Sequence, residues 1–182
     1  MKYERKRSVT QRQIQSALLE LMEEVRFDQI TINQIVNRAS ITRGTFYRYY
    51  DDKFQLLEII ETQTIEALIS ASNLNFVTVN NDFSKLVREI LEEYQKQFPV
   101  LHVLLGINGD PSFEVKLERK INELCYQDIP ANSIEDEMMQ ISMTSMWLRT
   151  LKFWVFNTDR VSSEDVEKIT LKLMKIAAKE FI

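Results

Sequence analysis

The stretch ITINQIVNRASITRGTFYRYYDDKFQLL, residues 30–57, determines how the N-terminal part of the chain folds. Thr31 is followed three residues later by Gln34, and this pair is a capping box in which the two residues bind each other's backbone N–H groups. Apolar residues then recur at helical spacing, at Ile32, Ile35, Val36 and Ala39. The start of the stretch therefore predicts a short amphipathic helix.

The helical pattern stops at residues 40–41, and Thr42 follows as a candidate cap for a further helix from Arg43 to about Tyr50. Two short helices joined by a tight turn are the signature of a helix-turn-helix, whose second helix enters the major groove of DNA. Residues 42–57 also gather five aromatic rings and three basic side chains. This composition favours a surface that contacts a polyanion.

The residues of the predicted second helix suit groove contacts. Phe46 and Tyr50 lie four apart and can share its inward face, where ordinary core packing is their expected role. Arg43 can donate two hydrogen bonds to guanine, although a plain surface arginine is the alternative. Gly44 would allow close backbone approach. Six residues carry a hydroxyl or ammonium group that can bind DNA phosphates: Thr31, Thr42, Thr45, Tyr47, Tyr49 and Lys53.

Residues 8–68 resemble the DNA-binding domain of the TetR/AcrR family of transcriptional regulators, with the helix-turn-helix motif at 31–50. The resemblance implies a homodimer that binds a palindromic DNA operator, usually as a repressor released by a small-molecule effector. By their positions in the family motif, three residues are expected to read base edges in the groove: Arg43, Gly44 and Tyr47. Four others are expected to contact phosphates: Thr31, Thr45, Tyr49 and Lys53. Two positions depart from the family pattern: Ser40 replaces the usual turn glycine, which predicts a strained turn, and Asp51 adds a negative charge.

Charge is distributed unevenly along the 182 residues, whose net charge is −4. Residues 1–50 carry nine Lys and Arg against five Asp and Glu, whereas the remaining residues carry fourteen against twenty-two. A basic arm ahead of the first helix contributes to this excess, with Lys2, Arg5, Lys6, Arg7 and Arg12. The basic end is therefore the part expected to meet nucleic acid.

Few glycines and prolines and repeated helical periodicity predict an all-α fold of about nine helices. An N-terminal three-helix DNA-binding domain would precede a C-terminal effector-binding and dimerisation domain at 74–182, and residues 73–81 would join them. LLGINGDPSFEVKLERKI, residues 104–121, resembles a C-terminal domain of some TetR-type regulators from low-GC Gram-positive bacteria. That resemblance names no ligand.

The family resemblance implies that the last two helices pair with their copies in a four-helix bundle. The candidate dimerisation residues are Met143, Met146, Thr150, Trp154, Ile169, Leu173 and Ala177. A pocket for a small apolar or amphipathic effector would be lined by Tyr94, Phe98, His102, Phe113, Leu117, Ile121 and Trp147. Packing within the subunit core is the alternative for both sets.

The sequence favours a binding protein over an enzyme. With one histidine, His102, and one cysteine, Cys125, no metal site of the usual Cys/His type can form within the chain, and no cofactor is expected. No nucleophile elbow, P-loop or dinucleotide fingerprint occurs. Neither a secretory signal nor an apolar run of membrane-spanning length is recognised, so a cytoplasmic location is expected. A non-enzymatic adaptor or co-activator that binds another protein is the rival hypothesis.

Overall fold

The computed structural model describes residues 2–71, 83–127 and 130–180; for residues 2–6, 71, 83, 86, 174 and 176–180 it describes the backbone only. Nine α-helices and one 3₁₀ turn, with no strand, make up the secondary structure of this part, which confirms the all-α prediction. The helices are α1 (Lys2–Glu24), α2 (Ile32–Arg38), α3 (Arg43–Phe46), α4 (Lys53–Ala71), α5 (Phe83–Lys96), α6 (Phe98–Leu104), α7 (Pro111–Tyr126), α8 (Ile134–Val155) and α9 (Ser163–Glu180), and the 3₁₀ turn η1 is Phe27–Gln29. The predicted joint at 73–81 lies outside the described residues.

The first helix begins at Lys2, so the basic arm that the sequence placed ahead of this helix is part of α1. Residues 2–9 contain Lys, Glu and Arg, which are good helix formers, and neither glycine nor proline. They lack an apolar stripe, and the periodicity of the sequence therefore did not reveal them as helical. The buried face of α1 lies further along and consists of Ile14, Ala17, Leu18, Leu21 and Met22.

The helix-turn-helix region has the predicted two helices, but the second is shorter than expected. The α-helix α3 ends at Phe46, and tight turns continue to Tyr49. In these turns the N–H groups of Tyr49 and Tyr50 donate to the carbonyl of Phe46 at 2.9 and 3.0 Å. The backbone therefore continues to wind for about one turn beyond the end of α3.

Side-chain caps also mark helix starts in the rest of the chain. Asp52 accepts a hydrogen bond from the N–H of Gln55 at 2.8 Å and caps α4. Ser133 accepts from the N–H of Asp136 at 3.1 Å and caps α8. At α9, the side chain of Ser162 accepts from the N–H of Asp165 at 3.2 Å. Hydrogen bonds from Ser162 in turn lower the pKa of the Asp165 carboxyl group.

The chain divides into two compact units. The first unit comprises Met1–Thr64 together with Val103–Phe113, and the second comprises Ile65–His102 and Glu114–Ile182. Residues 103–113, which the sequence placed in the C-terminal domain, thus cluster with the N-terminal helices. Within the first unit, the N–H of Phe27 donates to the carbonyl of Asn108 at 3.1 Å. No helix of the described residues is long and apolar enough to cross a membrane.

Candidate nucleic-acid interface

Two threonine caps fix the starts of α2 and α3. Thr31 accepts from the N–H of Gln34 at 3.3 Å, and the Gln34 side chain accepts from the N–H of Thr31 at 2.8 Å, so the predicted capping box is present. Thr42 accepts from the N–H of Thr45 at 3.1 Å. The Thr42 and Thr45 hydroxyl oxygens are 3.0 Å apart and share a hydrogen bond. Both caps orient the exposed residues that follow them.

The turn between α2 and α3 depends on Ser40, which has a φ of 52°. This is the left-handed region, which glycine adopts freely and which costs other residues energy. The expectation of a strained turn at this position is therefore confirmed. The N–H of Ile41 donates to the carbonyl of Val36 at 3.0 Å and closes the turn.

The aromatic rings of the segment face different surroundings. Phe46 and Tyr50 are 0% and 1% exposed and form part of the core, as the spacing predicted. Burial raises the pKa of the Tyr50 hydroxyl, an effect that Gln15 partly opposes. Tyr49 is half-buried, and Tyr47 is 46% exposed. Tyr47 is thus the ring of residues 46–50 that is most open to a ligand.

Arg43 is held by two neutral side chains. Its Nη1 donates to Oδ1 of Asn33 at 3.0 Å, and its Nη2 donates to the hydroxyl of Tyr47 at 3.2 Å. Its Cζ atom also lies 5.8 Å from the centre of the Tyr47 ring. Because neither partner is charged, the positive charge of Arg43 is not neutralised by these contacts. The structure therefore brings Asn33, Arg43 and Tyr47 together as one exposed polar cluster.

The arginines at residues 26–48 differ in their partners. Arg38 pairs with Glu20 and Glu24, at 3.4 and 2.9 Å, and the hydrogen bond with Glu24 is the main cause of its raised pKa. Arg26 pairs with Asp28 at 3.3 Å. Arg48, by contrast, is exposed and has no ion pair within the described residues. Among these arginines, the positive charge that no carboxylate neutralises therefore lies on the segment that begins at Arg43.

Lys53 has partners that the sequence did not indicate. Its ammonium group donates to the carbonyls of Phe27, Asp28 and Ile30 at 2.9, 2.9 and 2.7 Å. These bonds engage all three N–H groups of the ammonium. Burial lowers the pKa of Lys53, and its nitrogen also lies 4.8 Å from the centre of the Phe27 ring. The predicted phosphate contact at Lys53 is untested and stays a prediction.

The candidate effector residues are divided between the two units. Phe113 belongs to the first unit and is 0% exposed, whereas the other six belong to the second. The Tyr94 and Trp147 rings are 5.3 Å apart, and His102 is exposed with its ring 4.7 Å from that of Phe156. Phe98 is half-buried, and Leu117 and Ile121 are buried.

Two partly open clefts occur among the described residues of the second unit. One, of about 310 Å³, lies between α5 and α9 and is lined by Arg88, Leu91, Glu92, Ser163, Glu164 and Glu167. The other, of about 500 Å³, is lined by Ala67, Ser70, Glu89, Glu92, Glu93 and Gln97. Neither lining includes any of the seven candidate effector residues. The predicted effector pocket is therefore not supported by either cleft and stays a prediction.

The candidate dimerisation residues fall into exposed and buried groups. Met146 and Ile169 are each 38% exposed, and Met143, Thr150 and Leu173 are half-buried. Trp154 is 1% exposed and packs edge-on against Phe98 at 4.7 Å, so it lies in the core of the second unit. The side chain of Ala177 lies outside the described residues. Met139 and Phe153, which the sequence-based set omitted, are 39% and 54% exposed.

Sequence reasoning assigned no DNA-binding role to Asn33 and Arg48, which are exposed polar residues of this region. Arg48 could have been included, because it is a basic residue within the stretch 30–57. Asn33 gave no signal, since its contact with Arg43 crosses the turn between two helices. Among the described residues, no group of three or more His, Cys, Asp or Glu residues could hold a metal ion.

Comparisons with known proteins agree with this geometry. Residues 14–60 match the model of the family described as bacterial regulatory proteins, tetR family. The chain is 31% identical over 125 residues to the HTH-type dhaKLM operon transcriptional activator DhaS of Lactococcus lactis subsp. lactis (strain IL1403), covering 67% of this chain and 64% of that protein. It is 36% identical over 56 residues to the uncharacterized HTH-type transcriptional regulator YxbF of Bacillus subtilis (strain 168), covering 31% of this chain and 15% of that one. The chain thus spans less than two thirds of either relative.

Solved structures share the fold. A TetR transcriptional regulator from Streptococcus agalactiae 2603V matches with a TM-score of 0.70 and 22% identity, over 95% of this chain and 97% of that one. A structure of the dihydroxyacetone kinase operon activator DhaS matches with a TM-score of 0.57 and 18% identity, over 94% and 96% of the two chains. At these identities the matches establish the all-helical architecture.

Proposed function

We propose that this protein regulates transcription by binding a specific DNA sequence, because residues 14–60 match the model of the tetR family of bacterial regulatory proteins. The observation that carries the proposal is the Arg43 cluster beside Arg48, where positive charge is exposed and not neutralised by a carboxylate. Arg43, Gly44 and Tyr47 read the base edges in this proposal. Arg48 joins Thr31, Thr42, Thr45 and Tyr49 as a contact to phosphates, where exposed hydroxyls and basic groups are suited to bind.

Lys53 acts indirectly in the proposed complex. Its three bonds to the carbonyls at residues 27–30 hold the segment that leads into α2. Thr31, the cap of α2, follows this segment directly. We therefore assign to Lys53 the placement of α2, with a phosphate contact as a further role that requires exchange of one carbonyl partner.

The proposed DNA-binding form is a homodimer on a palindromic operator. The proposed dimer is supported by a stripe of five residues on α8. Successive residues of this stripe are 4, 3, 4 and 3 positions apart, which places them on one face of the helix. This α8 stripe consists of Met139, Met143, Met146, Thr150 and Phe153. Exposed apolar surface of this kind is typical of an interface. Ile169 and Leu173 of α9 complete the proposed surface, and the buried Trp154 is left out of it.

The direction of regulation has two candidates. Family resemblance favours a repressor that a small apolar or amphipathic effector releases from DNA. The name of the Lactococcus lactis relative, an operon transcriptional activator, favours activation instead. A reporter gene placed behind the bound DNA distinguishes them, because deleting the regulator raises expression under a repressor and lowers it under an activator.

Replacement of Arg43 tests the proposal directly. Arg43→Ala should weaken binding to the duplex preferred by the wild-type protein roughly 10- to 100-fold, since it removes a contact to a base edge. Arg48→Ala should weaken preferred and unrelated duplexes alike, because a phosphate carries no sequence information. Arg160→Ala, an exposed arginine of the second unit, is the control. Fluorescence anisotropy with labelled duplexes measures all three, and an unchanged preference in Arg43→Ala would refute the assignment.

A further inference from the structure

The contact between Asn33 and Arg43 joins the two helices of the helix-turn-helix. Asn33 is the second residue of α2, and its Oδ1 accepts from Nη1 of Arg43 at 3.0 Å. Nη2 of the same guanidinium donates to the Tyr47 hydroxyl at 3.2 Å. Two bonds from different nitrogens of a planar group fix both its position and the direction of its plane. Arg43 is therefore oriented before any DNA arrives.

Both supports of Arg43 are attached to defined backbone. The capping box of Thr31 and Gln34 fixes the first turn of α2, which carries Asn33. The N–H of Tyr47 donates to the carbonyl of Arg43 at 3.0 Å, which places the Tyr47 ring one turn beyond the arginine. A side chain held in this way loses less conformational freedom on binding than a free arginine does.

Hydrogen-bond chemistry also determines what the cluster presents outward. A guanidinium has no acceptor, so Asn33 must turn its oxygen toward Arg43 and its NH₂ group away from it. The Tyr47 hydroxyl accepts from Arg43 and keeps its own hydrogen for donation. The groups left for a partner are therefore mainly N–H and O–H donors, besides one lone pair each on the Asn33 amide oxygen and the Tyr47 hydroxyl oxygen. In the major groove, guanine offers the acceptors N7 and O6, whereas cytosine offers a donor and adenine offers one of each.

We propose that Asn33 is a positioning residue for Arg43, and that the hydrogen bond between them makes the cluster select guanine at one base pair of each half-site. This inference rests on the proposed DNA-binding function and deepens it. Asn33 does not read adenine in the usual way, because that pairing needs the amide oxygen and the NH₂ group to face the base together, and the oxygen is turned toward Arg43. The base preference then depends on Asn33 and Arg43 together rather than on Arg43 alone.

The test compares base preferences among variants, using duplexes selected from a random pool. Asn33→Ala should reduce the guanine preference roughly 3- to 10-fold at the base pair that Arg43→Ala also affects. In the Arg43→Ala background, Asn33→Ala should cause no further loss at that base pair. Asn33→Asp keeps an acceptor for Arg43 and should retain the preference, although its charge lowers the overall affinity. Asn37→Ala, an exposed asparagine of the same helix, is the matched control.

Three results would overturn the proposal: an unchanged preference in Asn33→Ala, an effect at a different base pair, or full additivity with Arg43→Ala. NMR of the Arg43 side chain in DNA-free protein gives an independent readout. Rotation of the guanidinium should be slow in the wild-type protein and faster in Asn33→Ala, and equal rates contradict the positioning role. If the wild-type protein selects no duplex, the proposed function fails, and the NMR comparison alone decides whether Asn33 positions Arg43.

Discussion

Ser40 holds the turn of the helix-turn-helix in a left-handed backbone conformation, with a φ of 52°. A residue with a Cβ atom pays about 1–2 kcal/mol for this conformation. Glycine avoids that cost but loses about 0.5–1 kcal/mol more backbone entropy on folding. Relief of strain exceeds the entropy term, so the turn is less stable with serine than it would be with glycine.

Ser40→Gly should therefore raise the free energy of unfolding by about 0.5–1 kcal/mol. Ser40→Ala is the control, since it keeps a Cβ atom and should give no such gain. Urea denaturation followed by circular dichroism measures both variants. A Ser40→Gly protein no more stable than the wild type would show that the turn is not strained.

Residues whose roles depend on local spacing could be predicted from the sequence. The Thr31 and Thr42 caps and the buried Phe46 and Tyr50 follow from neighbours within four residues, whereas the strain at Ser40 was expected from the family resemblance. The contact of Arg43 with Asn33 could not be predicted, because Asn33 is ten residues away and meets Arg43 only when the turn folds. Long-range side-chain contacts of this kind leave no periodic pattern.

At the scale of elements, Lys53 ties the start of α4 to the segment around η1. Its ammonium group donates hydrogen bonds to the backbone carbonyls of Phe27, Asp28 and Ile30. Lys53→Met keeps the aliphatic stem and removes the donors, and it should lower the free energy of unfolding by roughly 1–3 kcal/mol. The lower part of this range is favoured because the side chain is only half-buried.

Lys120→Met is the matched control for this element. Lys120 is exposed and pairs with Glu123 on its own helix α7, at 2.9 Å, so its removal should change stability little. Chemical denaturation of both variants gives the comparison. Equal stability losses in the two would contradict a special role for the Lys53 contacts.

Helices with an apolar stripe or a clear cap were predictable, and those without either were not. The starts of α2, α8 and α9 carry side-chain caps, and the sequence predicted the capping box at α2. The early start of α1 and the short turn η1 were missed, since propensity alone supports the first and only three residues form the second. The grouping of residues 103–113 with the first unit was also missed, as tertiary contacts decide it.

At the scale of the whole molecule, the proposed dimer depends on the α8 stripe. Phe153 is 54% exposed within it, and Phe153→Glu would place a charge in the proposed interface. This variant should sediment as a monomer at concentrations where the wild-type protein is a dimer. Ile107→Glu, at a 96% exposed apolar residue of the first unit, is the control and should leave association unchanged. A dimer that persists in Phe153→Glu would exclude the stripe as the interface.

Selection of bound duplexes from a random DNA pool, followed by affinity against salt concentration for the enriched sequence, tests the central claim most directly. The account predicts a palindromic consensus with half-sites about one helical turn apart. It also predicts a log–log salt slope of several units, because several phosphate contacts release counterions. No enriched sequence, with weak binding that disappears in modest salt, would contradict specific DNA binding and favour a protein that acts by binding another protein.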